Sequence, residues 1–169
     1  MAQLVRRWSQ KDLPVIQDVL WKTWVDSYSS YIPEADLKSY FTEHYDLDAL
    51  TDLFSNPLAD GFVAEVEGSV VGFMRTARET EENRYYVSSL YVLPQYQSRG
   101  LGREMMKMAA AEAKRFHLDR VWIGVMVDNK QAVDWYQKMG YQVVRTEPFT
   151  MGNSTVDHYI GFVLVESLH

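Results

Sequence analysis

Two glycines one residue apart, Gly100 and Gly102, stand in the run Gln97-Ser98-Arg99-Gly100-Leu101-Gly102-Arg103. Glycine lets a backbone turn tightly and lets a ligand approach it closely. A helical pattern begins at once after it: Leu101, Met105, Met108 or Ala109, Ala113 and Phe116 are apolar at helical spacing, with Arg103, Glu104, Lys107 and Glu112 between them. The run therefore lies at the mouth of a helix. There the free N–H groups of the first turn and the positive end of the helix dipole form an anion site. A phosphate is the guest these residues suit.

Two other phosphate loops fit less well. A P-loop closes on Gly-Lys-Ser/Thr, and here Gly102 is followed by Arg103-Glu104. A dinucleotide fingerprint needs a third glycine three residues after the second, where Met105 stands. Taken alone, the loop also suits a strand–loop–helix junction with incidental glycines.

The elements that must position this loop are legible along the chain. Val87 to Leu93 is β-branched and aromatic and stops at Pro94, so it is a strand leading into the loop. Leu4 to Trp8 forms a short first strand. Asp12 caps a helix with Pro14 in its first turn, and Val15, Ile16, Val19, Leu20, Thr23 and Trp24 give that helix an apolar face to about Tyr28. Glu34 to His44 and Leu47 to Phe54 are further helical segments after Pro33. Gly61 to Val66 and Ser69 to Arg75 make a hairpin turning at Glu67-Gly68, and the polar stretch from Arg78 to Asn83 is expected as an exposed loop. Val121 to Val127 is a buried strand parallel to Val87–Leu93. Asp128 or Asn129 caps a helix that Gly140 stops, and Tyr141 to Arg145 and Val156 to Val165 are the last strands.

Composition narrows the chemistry. With 169 residues, 47% of them hydrophobic, residues 1–169 are expected to form one domain large enough to bury a core. The chain has no cysteine, which excludes a thiolate nucleophile, disulfides and a Cys-ligated zinc. No apolar run approaches membrane-spanning length and MAQLVRRWSQ lacks a signal-peptide core, so a cytoplasmic enzyme without a membrane partner is expected. Seventeen Lys+Arg against 23 Asp+Glu leave a net charge of −6, which argues against nucleic acid and suits a small cationic acceptor.

Val-x-Pro, then Gln97-x-x-Gly100-x-Gly102, then Asn129-x-x-Ala132-x-x-x-Tyr136-x-Lys138-x-Gly140-Tyr141 resembles the GNAT acetyltransferase superfamily over roughly Gly61 to Tyr141. The resemblance implies a mixed, mostly antiparallel α/β sheet with a splayed central parallel pair and helices on both faces. It implies acetyl-CoA as donor, with the backbone of Leu90, Tyr91 and Val92 pairing the pantetheine arm and Gln97, Ser98, Arg99, Gly100, Leu101, Gly102 and Arg103 wrapping the pyrophosphate. Asn129 matches the family's pantetheine-bonding asparagine and also fits a helix cap. Tyr136 matches the family's proton-donating tyrosine. The role suits a phenol, which at a usual pKa near ~10 holds a proton at neutral pH. The same tyrosine also suits a helix core beside Trp135.

Acyl transfer to an amine further needs a base. Many relatives carry a glutamate on the key strand or five residues before the asparagine. Here those places hold Tyr86, Ser88, Ser89 and Gly124, so no base is assigned, although His158 and Glu65 remain candidates. Trp24, Tyr28 and Ile32-Pro33 follow one another as in one GNAT subset, where such a segment forms a wall of the acceptor site, although the same aromatics also suit a helix core. Trp122-Ile123-Gly124-Val125 with Phe149-Thr150-Met151-Gly152 look like the PaiA-type polyamine acetyltransferases. The resemblance makes a polyamine or similar small amine the first choice of acceptor. A protein N-terminal amine is the alternative enzyme substrate, and a non-catalytic acyl-CoA-binding module is the alternative class. A second copy of the chain is left open as a partner.

Overall fold

The computed structural model describes residues 2–169. Alternating apolar residues and tight turns form seven strands: β1 (Gln3–Arg7), β2 (Ala59–Val66), β3 (Ser69–Glu79), β4 (Arg84–Val92), β5 (Arg120–Met126), β6 (Gln142–Met151) and β7 (Ser154–Leu164). The helices are α1 (Leu13–Tyr28), α2 (Glu34–Tyr45), α3 (Leu47–Ser55), α4 (Leu101–Arg115) and α5 (Lys130–Lys138). The sheet runs β1-β2-β3-β4-β5-β7-β6, and its one parallel pair is β4 with β5.

Two apolar layers hold the helices to opposite faces. Successive residues of β2 separate them: Phe62 packs with Met105, Met106 and Ala109 of α4, while Val63 packs with Ile16 and Leu20 of α1 and Leu37 of α2. All of these side chains are buried, and each contributes ~1.5–3 kcal/mol if large and aliphatic or aromatic.

Two strand limits differ from the sequence reading. The hairpin of β3 and β4 reaches into the polar stretch, where Arg78 pairs with Tyr85 and Glu79 with Arg84 in the ladder. The Arg84–Glu79 ion pair and the Arg78–Asn83 hydrogen bond (2.8 Å) hold polar side chains in strand geometry, so the loop shrinks to residues 80–83. Likewise β6 runs through Pro148 to Met151. It is an edge strand, where a missing N–H can be tolerated.

The parallel pair meets only at Tyr85–Val121, Tyr86–Trp122 and Val87–Ile123. Beyond Val87 the two strands part. At that point β4 carries a bulge: Thr76 opposes Val87 and Arg75 opposes Ser89, leaving Ser88 as the extra residue. The bulge exchanges the faces of the residues after it. Leu90 and Val92 pack on the α4 side. The Ser89 hydroxyl meets the Tyr45 hydroxyl of α2 at 2.9 Å, and that of Tyr91 meets Tyr28 of α1 at 2.6 Å.

Candidate functional site

Where β4 and β5 part, two cavities open from opposite sides. One is a groove of about 220 Å³ at the mouth of α4; the other, of about 230 Å³, lies under α1 and α2. Leu90, Tyr91, Asn129 and Ala132 line both, so the cavities meet there.

The groove is built of a strand edge, a turn and a helix mouth, with residues of α1 and α5 beside them. Leu90, Tyr91 and Val92 offer it the edge of β4 that β5 has left. Gln97 Nε2 donates to the Val92 carbonyl at 2.9 Å, and Gln131 Nε2 donates to Gln97 Oε1 at 3.4 Å, which ties the loop to both β4 and α5. Ser98 (φ 63) and Gly100 (φ 84) adopt left-handed backbone. Glu104 N–H makes the first intrahelical bond, to the Gly100 carbonyl at 3.0 Å. The amides of Leu101, Gly102 and Arg103 therefore lie in the unpaired first turn. Leu101 is buried in the core on the α4 side and also borders the groove. Arg103 lines the groove and, among the described residues, forms no ion pair or hydrogen bond; Arg99 stacks over the Tyr96 ring at 5.1 Å, outside the lining.

Gly102 is small for a reason the sequence did not disclose. A Cβ there would stand 2.9 Å from Cζ2 of Trp135, which also lines the groove. The close approach seen is to that indole. Trp135, Gln131, Thr23 and Ser27 complete the groove and were missed. Only Trp135, beside Tyr136, had any local signal.

Asn129 caps α5. Its Oδ1 accepts from the Ala132 N–H at 3.3 Å, which directs Nδ2 away from the helix end. The cap and a hydrogen-bond donor role are compatible in one side chain.

The second cavity is built of side chains from distant elements. The rings of Trp24, Tyr28, Tyr40, Tyr45, Tyr86, Tyr91, Tyr136 and Phe149 line it. Tyr136 is 6% exposed, with its ring 5.0 Å from Trp135 and 5.7 Å from Tyr141. Among the described residues its hydroxyl has no hydrogen-bond partner, and it is not among the buried polar atoms sealed from solvent. Burial first, and then the neighbouring Tyr91 and Tyr141, push this phenol well above its usual pKa. It is a protonated group at every ordinary pH.

The candidate bases separate. Glu65 binds Arg6 at 3.2 Å on the β1–β2 side and is not in the cavity lining. His158 lines the cavity, with Nδ1 2.8 Å from the Glu147 carbonyl. That carbonyl can only accept, so Nδ1 carries a proton, and in the neutral ring Nε2 is the nitrogen with the lone pair. Gly124 makes the room: a Cβ there would lie 2.5 Å from the Tyr86 hydroxyl and 3.2 Å from His158 Cδ2. Of the serines, Ser89 is committed to Tyr45, and Ser88 is the bulge residue.

The charge of this cavity differs from that of the whole chain. Among the described residues no aspartate or glutamate lines it, and Arg75 does, with its guanidinium 5.4 Å from the Tyr45 ring centre. Beside it Asp36 of α2 bridges to the β6–β7 turn, accepting from Asn153 N–H at 3.1 Å and the Ser154 hydroxyl at 2.5 Å. The bridge stands next to Tyr40 and Met151 of the lining. Gly152, at φ 56, lets α2 this close, since a Cβ would be 2.7 Å from Asp36 Oδ1.

Residues 17–141 match the model of the acetyltransferase (GNAT) family. An uncharacterized N-acetyltransferase of Lactobacillus delbrueckii subsp. lactis is 22% identical over 166 residues, covering 95% of this chain and 94% of that protein. Among solved structures, the PaiA N-acetyltransferase of Thermoplasma acidophilum in complex with coenzyme A superposes with a TM-score of 0.85 at 21% identity, covering 97% of this chain and 99% of that one. The spermidine N-acetyltransferase of Vibrio cholerae in complex with CoA and spermine gives 0.70 at 18%, covering 98% and 97%. At such identities the two structures speak for the fold. With the family match over most of its length, the chain belongs to the GNAT family of acetyltransferases.

Proposed function

We propose that the chain moves the acetyl group of acetyl-CoA directly to a small primary amine, with Tyr136 as the acid. The observation that carries this is the meeting of two unlike cavities. One ends at an anion-binding helix mouth; the other holds an unbonded phenol beside the meeting point. The groove suits the donor, with the pyrophosphate at the amides of residues 101–103 and at Arg103. The pantetheine arm lies along the free edge of β4, and Asn129 Nδ2 donates to it.

The steps follow from the atoms available. The amine enters the aromatic cavity as an ammonium ion and gives a proton to His158 Nε2. Its lone pair attacks the thioester carbon, forming the C–N bond, while a backbone N–H of the free β4 edge near Leu90 to Val92 stabilises the oxyanion. The C–S bond then breaks and the thiolate takes the Tyr136 proton, while the new amide nitrogen gives up its remaining extra proton to solvent, which in turn restores the proton of Tyr136 and takes that of His158. The Asp36 bridge, which ties α2 to the β6–β7 turn beside the cavity, favours a small acceptor over a peptide chain.

A polyamine remains a specific second reading of the acceptor. The aromatic lining offers ring faces to ammonium groups, and the net charge of −6 would draw them in. The test of acetyl transfer is release of free thiol from acetyl-CoA with a panel of amines. Turnover that Tyr136→Phe lowers by ~10²-fold or more supports the reading. Binding of acetyl-CoA with no turnover for any amine would leave a non-catalytic module.

A further inference from the structure

The aromatic cavity contains a cation that acetyl transfer to an amine does not require. Arg75 projects from β3 into its wall, one strand from the β4 edge and opposite Ser89, an interstrand spacing of ~4.8 Å. Among the described residues it forms no ion pair and no hydrogen bond. This is not for want of acids. Arg6, Arg7, Arg84, Arg115, Arg120 and Arg145 each have a carboxylate within 4.0 Å. The guanidinium of Arg75 instead lies over the face of Tyr45, whose hydroxyl is in turn held by Ser89.

We infer that Arg75 binds an anionic group carried by the acceptor, so that the substrate is a small amine bearing a carboxylate or phosphate. This rests on the acetyl-transfer reading above. A guanidinium set over an aromatic ring still has N–H donors that match the paired oxygens of such a group. Arg103, similarly without a partner among the described residues, stands where the donor's phosphates are expected, so the two bare arginines mark the two anions of the reaction. A bare polycation would bring ammonium groups toward a like charge with no carboxylate in the lining to hold them.

The test measures binding to the CoA-saturated protein by calorimetry, using matched pairs: lysine with cadaverine, phosphoethanolamine with ethanolamine, and spermidine as the polycation. Wild type is expected to bind one anionic member at least tenfold tighter than its partner, and the pair that shows it separates carboxylate from phosphate. Arg75→Met should erase that preference with acetyl-CoA affinity unchanged, Arg75→Lys should restore part of it, and the change in turnover should fall on KM. If wild type shows no preference for either anionic member, or binds spermidine more tightly, the inference fails whatever the variants do. It fails equally if Arg75→Met weakens both members of a pair alike. Selective binding without turnover would instead overturn the acetyl-transfer reading and leave Arg75 its role.

Discussion

The groove at the mouth of α4 and the cavity under α1 and α2 share four residues and differ in almost everything else. The groove is organised on one short stretch of chain that supplies a strand edge, a left-handed turn and the first amides of a helix, with residues of α1 and α5 added at its border. The cavity presents side chains from α1, α2, β3, β4, β5, α5, β6 and β7. Backbone donors recognise a group that never varies, so a fixed local motif suffices for the donor. An acceptor of particular shape and charge needs side chains, and these must be gathered by the fold. Damage to one half should therefore leave the other intact.

Tyr136→Phe tests this most severely. Removing the acid should lower kcat by ~10²–10⁴-fold while acetyl-CoA affinity, measured by calorimetry, stays put. A change in that affinity would show the halves to be coupled through α5. Since burial raises this phenol above its usual pKa, the acidic form persists to higher pH than in a free tyrosine. No loss of wild-type activity below about pH 10 should therefore trace to Tyr136.

Asp12 offers a control outside both halves. Hydrogen bonds from Arg6 hold its carboxyl at a pKa of about 2, against an ordinary 3.8, and the residue is 4% exposed. A lowered folded pKa adds stability that is complete above the ordinary value and fades as pH falls toward 2. Asp12→Asn should cost about 2 kcal/mol near neutral pH and flatten the loss of stability between pH 4 and 2. Denaturant melts would read both, and neither site's affinity should change.

Gly102→Val should act on the groove alone. Its side chain must displace Trp135, so acetyl-CoA should bind at least tenfold more weakly, about 1.4 kcal/mol, with the fold retained. Unchanged affinity would remove the groove from the donor's path. The converse is Gly152→Ala, where the methyl group meets Asp36 across the bridge in a left-handed backbone that costs about 1 kcal/mol. KM for the acceptor should rise a few-fold with acetyl-CoA affinity unaltered. A matching loss on the donor side would erase the distinction between the two halves.

Much of the groove was legible before folding, because glycine spacing, a strand stopped by Pro94 and a helical repeat are written within a short run of residues. The same holds for the Glu67-Gly68 turn, with both residues at positive φ, and for the Asn129 cap and Gly140 stop of α5. These are local conformational preferences, and the chain states them directly. The order of elements and the parallel central pair follow from them with the family resemblance. What pairing decided was invisible. The extra residue at Ser88 turns Ser89 and Tyr91 toward the aromatic cavity, and no periodicity announces which residue of a strand will bulge. The placing of the Tyr86 hydroxyl in the space above Gly124, the confinement of Glu65 to Arg6 and the admission of Arg75 to a cavity without acids depend on register between strands far apart in sequence. Local spacing specifies where a backbone can turn and offer its amides. Which side chains converge, and with what net charge, is settled only when the sheet closes and the helices pack upon it.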